Sequence, residues 1–233
     1  MDQPLVIFDC DGVLVDSEPV SVRVLVAALN RHGIDMAEEE AYSRFLGRSL
    51  ATMTQVLDEE YDFHTGPEFL ERMRVDLYER FREELQPITG IARTVDQLGC
   101  RHCVASSSQP ERIRLSLSLT GLLERFEPNI FSASMVENGK PAPDLFLYAA
   151  AKMGFDPSNC IVVEDSPAGI EAAQRAGMTA FAFTGGSHTQ TVGYRERIEE
   201  LRPDAIFDAM PDLLHLVQKY SDGRKGSSVS RSF

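Results

Sequence analysis

The sequence predicts an α/β fold, a parallel-sheet core interrupted early by an all-helical insertion, and three observations carry that prediction. Short apolar runs bounded by polar or turn-forming residues alternate with amphipathic stretches of about ten residues, the pattern of buried strands joined by helical crossovers. Two of those runs, residues 5–8 and 160–163, end directly on acidic residues. Between about 17 and 87 the chain offers helical periodicity and no credible strand.

The opening run Leu5-Val6-Ile7-Phe8, between Pro4 and Asp9, reads as a short strand buried on both faces. Asp9 and Asp11 then stand at its C-terminal end, where open α/β sheets bind ligands. Gly12 allows the tight exit from the sheet that such a placement requires. Two carboxylates this close repel each other unless a proton or cation intervenes. A divalent metal with oxygen ligands meets that need, and Mg²⁺ is the usual occupant.

Residues 18–32 read as a helix with Ser17 at its N-cap, Pro19 in its first turn and Gly33 as its stop. Helices near 38–46, 49–60 and 67–85 follow, broken at Gly47 and at Thr65-Gly66-Pro67. After Gln86-Pro87-Ile88-Thr89-Gly90 the α/β alternation returns. Helices are expected at 91–98, 110–119, 143–153 and 167–176, and strands at 101–105, 129–131, 160–163, 178–183 and 204–207. Strands separated by helices imply a parallel sheet with right-handed crossovers. From Ser221 the chain is too polar and too rich in Gly and Ser to pack, and reads as a frayed tail. The expected division is therefore a core of 1–16 and 88–220, a helical insertion of 17–87 and a flexible tail of 221–233.

Composition narrows the function. With 233 residues, 43% of them hydrophobic and 25% charged, the chain can bury one good core and a smaller satellite. No apolar run reaches the ~18 to 20 residues of a membrane span, and Met1-Asp2-Gln3-Pro4 lacks the basic start of a secretory signal, so a cytoplasmic location is expected. A formal charge of −13 argues against nucleic acid or an anionic membrane as partner. It leaves room for a phosphorylated small molecule, because a metal and a few local cations set the field inside a pocket. Cys10, Cys100, Cys103 and Cys160 form no disulfide framework, and the Cys100-Arg101-His102-Cys103 pair has no second pair to complete a zinc site. Cys10 reads as an inert apolar filler, and the five histidines as surface or core residues. A monomer or weak homodimer is expected.

The string Asp9-Cys10-Asp11-Gly12-Val13-Leu14-Val15-Asp16-Ser17-Glu18 resembles the signature of the haloacid dehalogenase superfamily, in its branch of capped phosphatases and phosphosugar mutases. That resemblance implies a Rossmann-like core with a helical cap, and three further motifs in fixed order. Each has a match: Ser106 in Val104-Ala105-Ser106-Ser107-Ser108, Lys140 in Asn138-Gly139-Lys140-Pro141-Ala142-Pro143-Asp144, and Glu164-Asp165 after Ile161-Val162-Val163. It implies Asp9 as a nucleophile that forms an aspartyl-phosphate, and Asp11 as the acid and base beside it, with its backbone carbonyl on the metal. Ser106 would bind a phosphate oxygen, with Ser107 and Ser108 adding donors at the helix start. Lys140, held on a stiff loop by Pro141 and Pro143, would offset the charge of the nucleophile and of the phosphoryl group. Asp165 would ligate Mg²⁺, with Glu164 binding directly or through water.

Substrate choice is expected in the cap, which carries eight Arg, no Lys and fifteen Asp plus Glu over 17–87 and so is no basic lid. Arg48, in Arg44-Phe45-Leu46-Gly47-Arg48-Ser49, resembles a cap position that contacts substrate in relatives. Ser17 and Glu18, which close the first motif, are counted with the phosphate- and substrate-binding residues. The expected activity is Mg²⁺-dependent hydrolysis of a small phosphorylated metabolite, a sugar phosphate. A phosphosugar mutase is the alternative within the fold, but Ser21 and Pro110 stand where its His and Asn would be. A non-catalytic phospho-accepting regulatory module is the alternative of another class, opposed by the helical insertion and by Asp11.

Overall fold

The computed structural model describes residues 3–45 and 50–229. Its core is a six-stranded sheet of order β3-β2-β1-β4-β5-β6, parallel throughout, formed by β1 (Leu5–Phe8), β2 (His102–Ser106), β3 (Ile130–Ser132), β4 (Cys160–Glu164), β5 (Thr179–Phe183) and β6 (Ala205–Phe207). The chain passes from β1 to one side for β2 and β3, and later to the other side for β4, β5 and β6. The strand order therefore reverses at β1 and β4, and such a reversal opens a crevice at the carboxyl ends of the strands. Register sets Phe8 beside Val163, and Asp9 N–H donates to the Val163 carbonyl at 3.0 Å. The residues that follow β1 and β4 thus enter the same crevice.

Strand alternation sorts the core into two faces. Val6, Phe8, Val104, Ile161, Val163, Phe181 and Phe183 pack with α5 (Ile91–Gln97), α6 (Pro110–Leu119), α7 (Leu123–Phe126) and α11 (Asp212–Val229). Leu5, Ile7, Cys103, Ala105, Cys160, Val162, Ala180 and Ala182 pack with α8 (Asp144–Met153), α9 (Pro167–Arg175) and α10 (Tyr194–Glu200). The four cysteines are free thiols.

Between β1 and β2 run α1 (Glu18–Arg31), α2 (Glu38–Phe45), α3 (Leu50–Tyr61) and α4 (Pro67–Glu84), with no strand among the described residues. They share a core of their own around Val22, Leu25, Leu29, Met36, Leu57 and Phe69. The opposite face of α1, through Val20 and Val24, joins Leu77, Tyr78 and Phe81 of α4 in the larger cluster below. This is the expected all-helical cap on an α/β core. The two chain crossings lie side by side: Asp16 N–H donates to the Gln86 carbonyl at 2.9 Å, and Ile88 N–H to the Leu14 carbonyl at 3.0 Å.

Three differences from the sequence reading have physical causes. The short helices α7 and α10 bury too few residues to give a periodic signal; α10 places only Tyr194 and Ile198 inside. The expected frayed tail is replaced by helix as far as Val229. Leu213 and Val217 are buried, and Tyr220 donates its hydroxyl to the Ser158 carbonyl at 2.9 Å. That anchored turn supplies the nucleus, and propagation along an existing helix is far easier than starting one. Ser17 does stand at the N-cap of α1, but its hydroxyl makes no cap hydrogen bond and goes instead to Asp11.

Candidate active site

Four acids meet at the mouth of the crevice: Asp9 and Asp11 after β1, and Glu164 and Asp165 at the end of β4. Asp9, Glu164 and Asp165 are buried. Lys140 reaches between the two strand ends with a side chain only 4% exposed. Its Nζ donates to Asp9 Oδ1 at 2.6 Å, to Glu164 Oε1 at 2.5 Å and to the Ala105 carbonyl at 3.1 Å. Burial would strip a lone lysine of its proton, but Asp9 and Glu164 hold the Lys140 ammonium charged well beyond its ordinary range. Burial pushes the Asp9 carboxyl well up; Lys140 opposes that shift, and the negative charges of Glu164, Asp165 and Asp11 add to it.

Glu164 is fully engaged. Besides Lys140, its Oε2 accepts from Asp165 N–H, Ser166 N–H and Ser166 Oγ at 3.1, 3.0 and 2.9 Å. The carboxylate folds over the start of α9, and Gly169 makes room for it: a Cβ there would lie 1.9 Å from the Glu164 carboxyl carbon. The expectation that Glu164 ligates a metal directly therefore meets a carboxylate whose two oxygens are already used.

Asp11 turns the other way. Its Oδ1 accepts from Ser17 Oγ at 2.6 Å and Arg112 Nη2 at 2.8 Å, and its Oδ2 from Ser108 Oγ at 2.6 Å. Burial alone would raise this carboxyl, yet Arg112 and the two hydroxyls hold it below the usual carboxylate range. Arg112 also reaches the cap, touching Ser21 Oγ at 3.4 Å and stacking over the Phe81 ring. Ser106 is buried at the tip of β2, its Oγ accepting from Ser108 N–H at 3.1 Å, and Ser107 is exposed beside it on the crevice wall.

On the far side Asp165 meets His188, whose Nε2 lies 2.8 Å from Asp165 Oδ2. Burial pushes Asp165 up, and the imidazole draws it back. Glu18 projects into the same space with no hydrogen bond to the protein among the described residues, and burial lifts its carboxyl to about 7. Cys10 is buried, and burial next to Asp11 and Asp9 pushes its thiol far up, which keeps it protonated and inert.

These residues floor a cavity of about 540 Å³ roofed by Leu70, Met73, Leu77 and Tyr78 of α4. Arg74 stands at its rim, bonded to Glu71 and within 3.3 Å of Glu111 on α6. Arg48, expected to contact substrate, lies outside the described residues. The sequence reading singled out neither Arg112 nor His188. The available signal for the second was Gly185-Gly186-Ser187-His188 directly after β5, a glycine-rich exit at the same end of the sheet as the acids.

Comparison with known proteins gives the family. Residues 6–183 match the family described as haloacid dehalogenase-like hydrolase. The 6-phosphogluconate phosphatase of Escherichia coli is 31% identical over 188 residues, 80% of this chain and 85% of that one. The crystal structure of ATU0790, a haloacid dehalogenase-like protein of unknown function from Agrobacterium tumefaciens, superposes with a TM-score of 0.82 at 32% identity, over 94% of this chain and 99% of that one. A HAD family hydrolase of Deinococcus radiodurans with bound phosphate and sodium does so with a TM-score of 0.73 at 29% identity, over 91% and 94%. The chain belongs to the haloacid dehalogenase superfamily, in its branch of capped phosphatases, and is a phosphoric monoester hydrolase.

Proposed function

We propose that the chain is a Mg²⁺-dependent phosphatase that hydrolyses a small sugar phosphate through an aspartyl-phosphate on Asp9. The observation that carries this reading is the meeting of Asp9 and Asp165 at adjacent strand ends with Lys140 buried against the first of them. Among the described residues no three His, Cys, Asp or Glu side chains form a ready-made metal shell. The donor set nonetheless fits the ion. Asp9 Oδ2 and Asp165 Oδ1 have no hydrogen bond to the protein among the described residues, both are hard oxygen donors, and Mg²⁺ is ordinarily held by one or two carboxylates with water completing its shell. Glu164, with both oxygens in use, fits better as the anchor of Lys140 or as a partner through water. When bound, the cation would neutralise charge on the phosphoryl oxygens.

The protein's own part divides as follows. Asp9 attacks phosphorus; the bond to the leaving oxygen breaks, and that oxygen takes a proton from Asp11. Asp11 then removes a proton from water, whose oxygen attacks the same phosphorus and frees Asp9 and phosphate. Lys140 offsets the phosphoryl charge, and Ser106 and Ser107 face the crevice with donors for its oxygens. The Arg112, Ser17 and Ser108 contacts keep Asp11 ionised, the state needed to activate water, so the carboxyl must gain a proton before it serves the leaving group. Ser21 and Pro110 offer neither the His nor the Asn expected of a mutase; Ser21 contacts Arg112 and Pro110 opens α6.

The sugar-phosphate reading is supported by the likeness to a 6-phosphogluconate phosphatase and by polar groups facing the cavity: Glu18, Gln109 and Arg112. The test is phosphate release from p-nitrophenyl phosphate and from a panel of sugar, polyol and aldonate phosphates, with Mg²⁺ and with chelator. Turnover is expected with Mg²⁺ alone and is abolished in Asp9→Asn. Full activity in that variant overturns the mechanism.

A further inference from the structure

One group of side chains in the crevice has no part in the chemistry above: the 3₁₀ turn Ser187–Gln190 that follows β5. We propose that His188 is the positioning residue of Asp165, and that the turn carrying it ties this carboxylate to the cap hinge through Ser187 and Asp16. The inference rests on the reading of Asp165 as a cation ligand.

The ring of His188 is boxed in. It is 2% exposed and meets the Tyr194 ring edge-on at 5.3 Å between centroids. A Cβ on Gly186 would lie 2.9 Å from its Cε1 and Nδ1, and one on Gly12 would lie 2.8 Å from Cε1 and 1.9 Å from Asp165 Oδ2. Two glycines thus allow the backbone to close on an imidazole and a carboxylate already in contact. Tyr194, from the start of α10, donates its hydroxyl to the Asp165 carbonyl at 3.1 Å. The main chain of Asp165 is therefore hydrogen-bonded from the segment after β5, and its carboxylate meets the His188 imidazole from the same segment at 2.8 Å. Because His188 sits on Oδ2, the carboxylate presents Oδ1 in one direction only, and a ligand fixed in this way loses little freedom when a cation arrives. Partners behind metal ligands contribute about 10- to 100-fold in affinity.

The next residue on the same turn points the other way. Ser187 donates from its N–H to Asp16 Oδ1 at 3.2 Å and from its hydroxyl to Asp16 Oδ2. Asp16 lies where the chain leaves the core for the cap, paired with Gln86 where it returns. Thr189 pins the turn to the core by donating to the Thr184 and Gly186 carbonyls at 2.6 and 2.8 Å. A shift of Asp165 on meeting a cation is thereby carried from His188 to the adjacent Ser187 and on to the hinge.

Calorimetric titration of the full chain with Mg²⁺, without substrate, tests the first part. Asp165→Asn is expected to lose binding, and His188→Phe, which keeps an aromatic ring against Tyr194, to weaken it 10- to 100-fold. His188→Gln, which can return an N–H to the carboxylate, is expected to recover most of that loss. Wild-type affinity in His188→Phe or in His188→Gln and His188→Ala together, with Asp165→Asn unable to bind, overturns the positioning role and leaves the Asp165 reading intact. Wild-type binding by Asp165→Asn overturns both. For the hinge, amide exchange over residues 14–18 and 86–88 is expected to slow when Mg²⁺ is added to the wild type and to stay unchanged in Asp16→Ala, which removes both bonds to Ser187; the same slowing in that variant overturns the link.

Discussion

Lys140→Met isolates the charge on which the crevice depends. The substitution keeps an unbranched chain of similar volume, so the packing loss is small, and what disappears is a cation 2.6 Å from Asp9 and 2.5 Å from Glu164. The three side chains are 4%, 9% and 1% exposed, so water cannot replace the ammonium. Breaking a buried pair by removing one member costs about 3 to 5 kcal/mol, because the remaining charge is stranded. Against a total stability of about 5 to 15 kcal/mol that is a large fraction. Urea unfolding in EDTA at pH 7.5 should show the loss as a lower midpoint with an unchanged slope. The pH dependence has a definite sign. Asp9 already binds its proton more tightly folded than unfolded, and without Lys140 it does so more strongly. A folded state that holds the extra proton loses stability as pH rises. The deficit of the variant must therefore shrink between pH 7.5 and 5.5, and millimolar Mg²⁺ should offset part of it. A deficit below about 1 kcal/mol at pH 7.5, or one that grows towards acid, refutes the reasoning.

Glu18→Gln should flatten the pH dependence of stability. The Glu18 carboxyl is raised from 4.5 to about 7, chiefly by burial, and at about 1.36 kcal/mol per pH unit this weakens the wild-type fold by up to about 3 kcal/mol as pH rises through that window. The variant is then the more stable protein at pH 8 and no more stable at pH 4 by urea unfolding, and equal slopes would contradict it. Gly169→Ala would ordinarily strengthen a helix by about 1 kcal/mol; here its methyl meets the Glu164 carboxylate, so thermal unfolding should show a net loss of about 1 to 3 kcal/mol together with reduced turnover. Arg112→Met removes the cation that holds Asp11 down, and the limb of the pH–rate profile assigned to Asp11 should move to higher pH.

The order of elements was legible because each main strand is a short buried run and each long helix an amphipathic one, both local properties of the chain. Helix α10 was not, since two buried residues in Tyr194–Glu200 make no pattern. In the site, Asp9, Asp11, Lys140 and the 164–165 acids were legible from motif and position at strand ends. Their partnerships were not. Reading the acids in sequence sets Asp9 and Asp11 side by side and calls for a metal to balance them. In space Lys140 comes from a loop 24 residues before Glu164 and Arg112 from the first turn of α6, and between them they hold Glu164, Asp11 and one oxygen of Asp9. The demand for a cation thereby narrows to the space between Asp9 and Asp165. His188 shows the same limit. The glycine-rich exit Gly185-Gly186 marks its neighbourhood but not its partner, and its contact exists because β5 pairs with β4 in a register that sets Ala182 beside Glu164, so that the turn after one strand lies against the acid after the other. Charge type is written locally, but the pairing that decides how many charges are left for a metal is a property of strand order.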